Sequence, residues 1–275
     1  MHGTWLAFGG PYSNIHALDA LFAEAALLGI PPARMICTGD VVAYAADPVA
    51  VTERMMAAGI PTIMGNCEES LGAEAQDCGC GFAEGTACEL LARGWYAHAL
   101  RSLGAQHRAW MAGPPRRLVV EIGGRRLAVL HGAAGSIKRF LFASDAAAVF
   151  ADEIAATGCE GVIAGHCGLP FTRIIGSALW HSAGAIGMPA NDGTRRAWFS
   201  LITPDAGALR IDLCALSYDH AGAADATRAA RLSEGYATAL ESGLWPSLDV
   251  LPDAERVETG LALSPAPVVW PSARA

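Results

Sequence analysis

The sequence predicts an α/β fold in which two packed β-sheets carry helices on their outer faces. In the first half of the chain, short apolar runs alternate with segments whose apolar residues recur at helical spacing, which indicates parallel strands joined by crossover helices. In the second half, strand-like runs follow one another closely, which indicates antiparallel pairing. With 275 residues, 52% of them apolar and 17% charged, the chain can bury a large core and is expected to be ordered.

The first half opens with a β-α-β-α-β pattern. The predicted strands span residues 4–8, 35–38 and 61–64, and the predicted helices span 15–28 and 48–58. Each helix is followed by a glycine, Gly29 or Gly59, the residue preferred just past a helix C-terminus. Residues 67–115 are rich in Gly, Cys and Trp and are predicted to form an irregular and helical insertion.

The second half begins with a predicted hairpin, because Gly123-Gly124 places a two-residue turn between two apolar runs. The predicted strands span 118–122, 126–130, 161–164, 171–175, 179–181, 197–202 and 209–216, with helical segments at 145–156 and 220–242. We expect residues 1–263 to form one domain that includes a helical extension at 217–263. Residues 264–275 contain three prolines and are expected to form a loose tail.

Four separate pieces of the chain each present one metal-binding side chain beside a glycine. They are Gly39-Asp40, Gly65-Asn66, His131-Gly132 and Gly165-His166, and each follows an apolar, strand-like run. Strand ends bring such loops to one edge of a sheet, where α/β proteins keep their sites. One carboxylate, one amide oxygen and two imidazoles form a mixed N/O ligand set that suits a divalent transition metal. The sequence therefore predicts a metal site.

The order and spacing of these pieces resemble the calcineurin-like metallophosphoesterases, in particular bacterial phosphodiesterases and diadenosine-tetraphosphatase-like proteins. That family's pattern runs D-x-H, G-D, G-N-H or G-N-C with an acidic residue, H, and G-H-x-H. Here Gly39-Asp40, Gly65-Asn66-Cys67-Glu68, His131 and Gly165-His166 match the second to fifth motifs, within a resemblance that covers residues 4–216. The resemblance implies a four-layer αββα sandwich of two mixed sheets and a metal-dependent phosphoric ester hydrolase.

The departures from the pattern fall on one half of the family's two-metal site. The first aspartate of the family falls on Gly10, its histidine on Tyr12, and its last histidine on Gly168. In the family these three residues bind only one of the two metals. The ligands of the other metal, by resemblance Asp40, Asn66, His131 and His166, are all retained. We interpret this as one intact metal site and one site that is either dismantled or rebuilt.

Several further residues are candidates for catalysis or substrate binding. Cys67, next to Asn66, either contacts the leaving oxygen or binds a metal as thiolate, or is a small buried apolar side chain. Tyr12 either contacts a bound phosphate or a ferric ion, or fills the space left by the lost ligands. Asp40, Cys67 and Tyr12 are thus the predicted catalytic residues, while Asn14 and Arg173 are predicted to bind substrate.

A rebuilt second site would need new ligands near Gly10 and Gly168. Cys78 and Cys80 supply soft sulfur ligands in a C-x-C pair, and His181 supplies an imidazole or a general acid. Such ligands favour iron or zinc over magnesium and allow chemistry other than hydrolysis. The alternative for Cys78 and Cys80 is a loop whose thiols pack under Trp95 and Tyr96.

Three functions therefore remain open at this level. The first is a metal-dependent phosphoric ester hydrolase acting on a small phosphorylated substrate with Mn, Fe or Zn as the metal ion. The second is a catalytically inactive binding or scaffold protein on the same fold. The third is a rebuilt iron or zinc site with cysteine or tyrosine ligands and other chemistry.

Composition limits the partners and the compartment. The net charge of −8 offers no electrostatic attraction for duplex nucleic acid or an anionic membrane surface. No secretory signal or membrane-spanning run is visible, so a cytoplasmic location is expected, with the eight cysteines mainly as thiols. Assembly into a homo-oligomer is left open.

Overall fold

Two five-stranded mixed β-sheets form the centre of the computed structural model, which describes residues 3–271. The strands are β1 (Trp5–Phe8), β2 (Met35–Cys37), β3 (Arg117–Ile122), β4 (Arg125–Leu130), β5 (Gly161–Ala164), β6 (Pro170–Ile175), β7 (Ala178–Ala183), β8 (Ala197–Asp205), β9 (Ala208–Leu216) and β10 (Val268–Trp270). The helices are α1 (Ile15–Leu27), α2 (Pro48–Ala58), α3 (Asn66–Gly72), α4 (Ala87–Ser102), α5 (Ala105–Met111), α6 (Ala147–Thr157), α7 (His220–Ala229), α8 (Glu234–Ser242) and α9 (Asp253–Val257).

The first sheet has the strand order β10-β9-β8-β1-β2 and the second has the order β3-β4-β5-β7-β6. Each sheet is mixed. In the first, β1 pairs parallel to β2 and antiparallel to β8. In the second, β4, β5 and β7 are parallel, while the β3–β4 and β6–β7 hairpins are antiparallel. Antiparallel pairing therefore joins the two halves of the chain, because β8 from the second half lies beside β1.

The core lies in three apolar layers that the strand alternation creates. Inward-facing side chains of both sheets, such as Ile36 and Leu127, pack together between the sheets. On the outer face of the first sheet the apolar sides of α1, α2 and α8 are buried, and on the outer face of the second sheet α6 buries Phe150. Helices, sheet, sheet and helix form the four-layer αββα sandwich that the sequence predicted.

Residues 61–64 do not form the predicted third strand. Only Thr62 makes a β-bridge, to Cys37, before the chain turns away and Met64 donates its N–H to the Pro115 carbonyl. Pro61 lacks an N–H and offers only its carbonyl to Cys37, so the ladder stops after one residue. The insertion at 67–115 contains most of α3 together with α4 and α5, and the helical region at 220–242 divides into α7 and α8.

The prediction of a loose tail is wrong for residues 268–270, which form β10 and pair antiparallel with β9. Trp270 is fully buried between the sheets, its Nε1 donates to the Ser177 carbonyl over 2.8 Å, and the Arg125 guanidinium lies 3.9 Å from its ring. Prolines flank this strand without interrupting it, which is compatible with an edge strand. Residues 272–275 of the predicted tail lie outside the described residues.

Within residues 3–271 no helix combines the length and apolar character needed to cross a membrane.

Replacing Trp270 with alanine is expected to lower the free energy of unfolding by roughly 3–5 kcal/mol, because the change leaves a cavity between the sheets. Val269→Ala is the matched control, since Val269 lies on the same strand and is 57% exposed. The control should cost less than about 1 kcal/mol in urea-induced unfolding. Equal midpoints for the two variants would contradict a structural role for β10.

Candidate metal centre

Three of the four predicted ligands follow strands of the two sheets, and the fourth begins a helix. Asp40 follows β2 of the first sheet, while His131 and His166 follow the parallel strands β4 and β5 of the second sheet. Asn66 is the first residue of α3. Two sheets that pack face to face thus bring four loops together at one edge of the sandwich.

The ligating atoms of these four residues converge on Nε2 of His131. That nitrogen lies 3.2 Å from Oδ2 of Asp40, 3.0 Å from Oδ1 of Asn66 and 3.0 Å from Nδ1 of His166. Asp40, His131 and His166 form a group of buried side chains whose metal-binding atoms all lie within 4.8 Å of one another. Among the described residues this is the one such group of three or more His, Cys, Asp or Glu side chains.

Neighbouring backbone groups orient two of these ligands. Nδ1 of His131 donates to the Thr38 carbonyl over 2.7 Å, so a neutral imidazole presents the lone pair of Nε2 to the site. The Asn66 amide donates from Nδ2 to the Cys78 carbonyl over 3.0 Å, which directs Oδ1 towards His131. Such hydrogen bonds fix the tautomer and the rotamer of a metal ligand before the metal binds.

The electrostatics of the group favour a positive charge at its centre. Burial would raise the pKa of Asp40, but the charge and hydrogen bond of His131 outweigh burial and lower it to about 2. Burial and the charge of His131 lower the pKa of His166 to about 3. Burial would lower the pKa of His131, but Asp40 and the Thr38 carbonyl raise it above its usual value. The buried Asp40 carboxylate therefore stabilises positive charge within this group of side chains.

The donor set fits a divalent transition metal. A carboxylate oxygen, an amide oxygen and two imidazole nitrogens are buried together, and each is a ligand that Mn, Fe or Zn accepts. No cysteine sulfur belongs to the Asp40–His131–His166 group in the described residues.

The backbone around the site is strained. Nine non-glycine residues of the described chain have a positive φ, and five of them, Tyr12, Ser13, Asp40, Tyr44 and His166, lie at or beside the site. Such conformations are uncommon and persist only where the surroundings enforce them. The loop glycines allow the close approach, because a Cβ on Gly39 would lie 2.6 Å from the Gly65 nitrogen.

Glu68 connects the loops that carry Asp40 and Asn66. Its side chain is fully buried, Oε2 accepts N–H donors from Asp40 at 2.7 Å and Gly65 at 2.8 Å, and Oε1 accepts one from Val41 at 2.7 Å. Burial and the nearby Asp40 raise the pKa of Glu68 to about 7. The sequence interpretation gave Glu68 no role in the site. Its position as the third residue of α3, where a glutamate can bond back to the N-cap backbone, is the signal that was missed.

Aromatic side chains lie at the positions where the resemblance puts the ligands of the other metal. A Cβ on Gly10, where the family has its first aspartate, would collide with the Tyr12 ring. A Cβ on Gly168, where the family has its last histidine, would lie 3.4 Å from Cζ2 of Trp245 and 3.9 Å from the Tyr12 hydroxyl. The Tyr12 ring also packs against Tyr44, with centroids 4.8 Å apart. Of the roles considered for Tyr12, this position supports that of filling the space left by the lost ligands.

The sulfurs of Cys67 and Cys80 lie near the amide nitrogen of Asn66 and not near its amide oxygen. Asn66 Nδ2 is 3.5 Å from the Cys67 sulfur and 3.5 Å from the Cys80 sulfur, away from the Oδ1 that faces the site. Cys78 and Cys80 form a disulfide, so neither offers a thiolate to a metal. The spacing of two residues brings the two sulfurs within bonding distance of each other. The other six cysteines are free, in agreement with the prediction that the cysteines are mainly thiols. Burial, then the charge of Asp40, raises the pKa of the Cys67 thiol, which favours its interpretation as a small buried side chain.

Asn14 and Arg173, the two predicted substrate-binding residues, use their polar groups in contacts outside the candidate site. Asn14 caps α1 by accepting from the Ala17 N–H, and its Nδ2 donates to the Gly187 carbonyl, so both ends of its amide are occupied. Arg173 donates to the carbonyls of Ala143 and Asp145 and covers the Phe150 ring. These bonds point its guanidinium at α6 and the loop before it. They do not point it at the four predicted ligands Asp40, Asn66, His131 and His166, called the metal group below.

His181 lies outside the metal group as well. It is fully buried, and its Nδ1 is bonded to the Thr172 hydroxyl of the neighbouring strand at 2.9 Å. Strand alternation puts it on the same face as Leu179 and Ala183, which belong to the core between the sheets.

The comparisons with known proteins support the fold. The chain is similar to the crystal structure of a metallophosphoesterase from Sphaerobacter thermophilus, with 20% identity and a TM-score of 0.69, over 89% of this chain and 100% of that one. It is also similar to a hypothetical protein of Pyrococcus horikoshii, with 17% identity and a TM-score of 0.74, over 88% of this chain and 99% of that one. No family model and no curated protein matches the sequence. The chain therefore has the metallophosphoesterase fold that the resemblance implied.

Replacing Glu68 with glutamine is expected to weaken divalent metal binding by about 10- to 100-fold, the usual cost of losing a group that orients metal ligands. One of the two carboxylate acceptors becomes an NH₂ group that faces backbone N–H donors. Affinity is measured by competition with a metal-sensitive dye. Glu69→Gln is the matched control, since Glu69 pairs with Arg116 at the surface, and its affinity should stay within about twofold of the parent. An unchanged affinity in Glu68→Gln would refute the positioning role.

His181 should make the fold less stable in acid. Burial lowers its pKa to about 4, so the folded state resists protonation while the unfolded state accepts a proton near the usual value. The stabilisation is complete above the unfolded pKa and is lost as the pH falls towards the folded one, by about 2 kcal/mol between about pH 8 and about pH 5. Urea unfolding of the parent and of His181→Gln, which keeps a partner for Thr172, should show a smaller loss in the variant. Parallel pH curves would contradict this.

Proposed function

We propose that this protein is a metal-dependent phosphoric ester hydrolase with one family-like metal site. The observation that carries the proposal is the convergence of Asp40, Asn66 and His166 on Nε2 of His131, with all four side chains buried. Burying a carboxylate and two imidazoles so close together is costly without a cation to balance them. The similarity to a metallophosphoesterase structure supports the class of reaction.

When bound, a divalent metal supplies Lewis-acid chemistry, polarising a phosphoryl oxygen and lowering the pKa of water. The chain's own residues prepare the site for it. His131 keeps its proton on Nδ1 against the Thr38 carbonyl, and Glu68 holds the Asp40 loop by its backbone. Phe140 stacks on His166 at 4.1 Å between ring centroids and shields that side of the site from water.

Activity should be lower than in a two-metal enzyme. Two metals clamp both the attacking and the leaving oxygens of a phosphoryl group. Here the aromatic rings of Tyr12 and Trp245 occupy the neighbourhood of Gly10 and Gly168. The leaving oxygen would therefore depend on its own acidity, so esters of acidic alcohols should be hydrolysed fastest.

The aromatic side chains near Gly10 and Gly168 also favour the alternative function. This alternative is a binding protein that keeps the fold and has lost catalysis. Under this alternative the four-residue group is occupied by a structural metal or a proton. Activity with a catalytic metal separates the two hypotheses.

Protein loaded separately with Mn(II), Fe(II), Zn(II), Co(II) or Mg(II) should hydrolyse an aryl phosphomonoester or an aryl phosphodiester with at least one metal. Asp40→Asn is expected to reduce kcat/KM by about 100-fold or more, because it removes a negatively charged ligand. If no metal gives turnover above that of Asp40→Asn, the hydrolase proposal is wrong and the binding-protein hypothesis is favoured.

Elemental analysis tests the metal site without reference to activity. Protein purified without chelator should carry a reproducible, stoichiometric transition metal that is lost in His131→Ala. His16→Ala is the control, because the His16 imidazole pairs with Asp219 and lies outside the metal group. Equal metal content in the two variants would count against the site.

A further inference from the structure

An apolar cavity lies where the family's other metal would be held. Tyr12, Gly168 and Trp245 line it, and they are the residues that now occupy or replace the lost ligand positions. His166 also lies in its wall, so the cavity borders the metal group directly. A group placed in this cavity is therefore next to any phosphate held at the metal centre.

The walls of the cavity are aromatic. Tyr44 packs against Tyr12 with centroids 4.8 Å apart and against Tyr236 with centroids 5.1 Å apart. On the opposite side, Phe140 stacks on His166 at 4.1 Å, and Phe82 stacks on Phe140 at 6.1 Å. Flat aromatic walls favour a flat aromatic ligand, which can stack or pack edge to face against them.

No arginine, lysine, aspartate or glutamate of the described residues lines this cavity. The guanidinium of Arg173 is occupied by backbone carbonyls, and Lys138, the chain's sole lysine, is exposed and does not line it. A second phosphate in this position would have no cation to balance its charge, which is costly in an apolar site. The cavity therefore disfavours polyphosphates and accepts an uncharged group.

Trp245, in the segment that follows α8, is held in this wall by the loop between β7 and β8. Its backbone N–H donates to Oδ1 of Asn191 over 2.8 Å, and its indole N–H donates to the Pro189 carbonyl over 2.7 Å. Both polar groups are satisfied, and the apolar edge of the ring faces Gly168, where an added Cβ would lie 3.4 Å from Cζ2. The C-terminal extension thus contributes a fixed side of the cavity.

We propose, building on the hydrolase function above, that the substrate is a phosphate ester of an aromatic alcohol, with the uncharged ring in this cavity and the phosphate at the metal group. Hydrolysis would break the bond between phosphorus and the aryl oxygen and form a bond from phosphorus to a water oxygen. The aryl oxygen leaves with the bonding electron pair and takes a proton from solvent.

Comparison of 1-naphthyl phosphate with phenyl phosphate tests the proposal, because the two leaving groups differ little in acidity but differ in apolar area. With Mn(II)-loaded protein, kcat/KM is expected to be about tenfold higher for the naphthyl ester, mainly through KM, from the additional apolar surface buried. Diadenosine tetraphosphate, which carries several phosphates, should be the poorest of the three substrates.

Trp245→Ala is expected to abolish the preference for the naphthyl ester, while Trp245→Phe retains most of it. Trp110→Ala is the matched control, since Trp110 is a partly buried tryptophan on α5 that does not line the cavity. A preference that survives in Trp245→Ala, equal rates for the two esters in the parent, or a faster reaction with diadenosine tetraphosphate would overturn the proposal and leave the hydrolase function intact.

Calorimetry with 1-naphthol separates failure of the cavity from failure of catalysis. If no ester is hydrolysed but 1-naphthol binds the parent and not Trp245→Ala, the cavity assignment holds and the hydrolase function fails. If 1-naphthol does not bind the parent, the aromatic-ligand assignment is wrong.

Discussion

The buried carboxylate of Glu68 accepts three backbone N–H groups from two different loops, and the geometry of the metal group depends on it. Without that carboxylate, the N–H groups of Asp40, Val41 and Gly65 would be buried without partners, at a cost of about 1–3 kcal/mol each. With it, the loop after β2 and the start of α3 are fixed relative to each other. Asp40 then keeps its left-handed backbone conformation, and Cys67 donates its N–H to Oδ1 of Asp40 over 3.1 Å. The same constraint leaves Oδ2 of Asp40 to face His131.

The second sheet supplies His131 and His166, and contacts between the two sheets hold these histidines near Asp40. The Thr38 carbonyl after β2 accepts from His131 after β4, so this hydrogen bond, together with the contact between His131 and Asp40, joins the two sheets at the site. Gly165, before His166, lies so close to Thr38 that a Cβ there would collide with its hydroxyl. The distance between the sheets therefore decides the spacing of the ligands. Substitutions in the core between the sheets should be felt at the metal site even when they lie far from it along the chain.

Aromatic side chains surround the positions at which the resemblance puts the ligands of the other metal. Tyr12 covers Gly10, Trp245 packs near Gly168, and Tyr44 packs against both Tyr12 and Tyr236 of α8. The resulting wall is apolar and borders His166.

The order of the motifs, most strand and helix positions and the four converging side chains were predictable from the amino-acid sequence. This was possible because glycine-bearing loops at strand ends and helical periodicity are local properties of the chain. Residues 61–64 and β10 were misjudged because pairing depends on a neighbouring strand, which supplies or withholds partners that no local pattern shows. The contacts of Glu68, Asn14, Arg173 and Trp245 became clear only in the folded chain. Hydrogen bonds and ring contacts between residues distant in sequence form when the sheets and the C-terminal extension pack, so their partners follow from the packing and not from the local sequence.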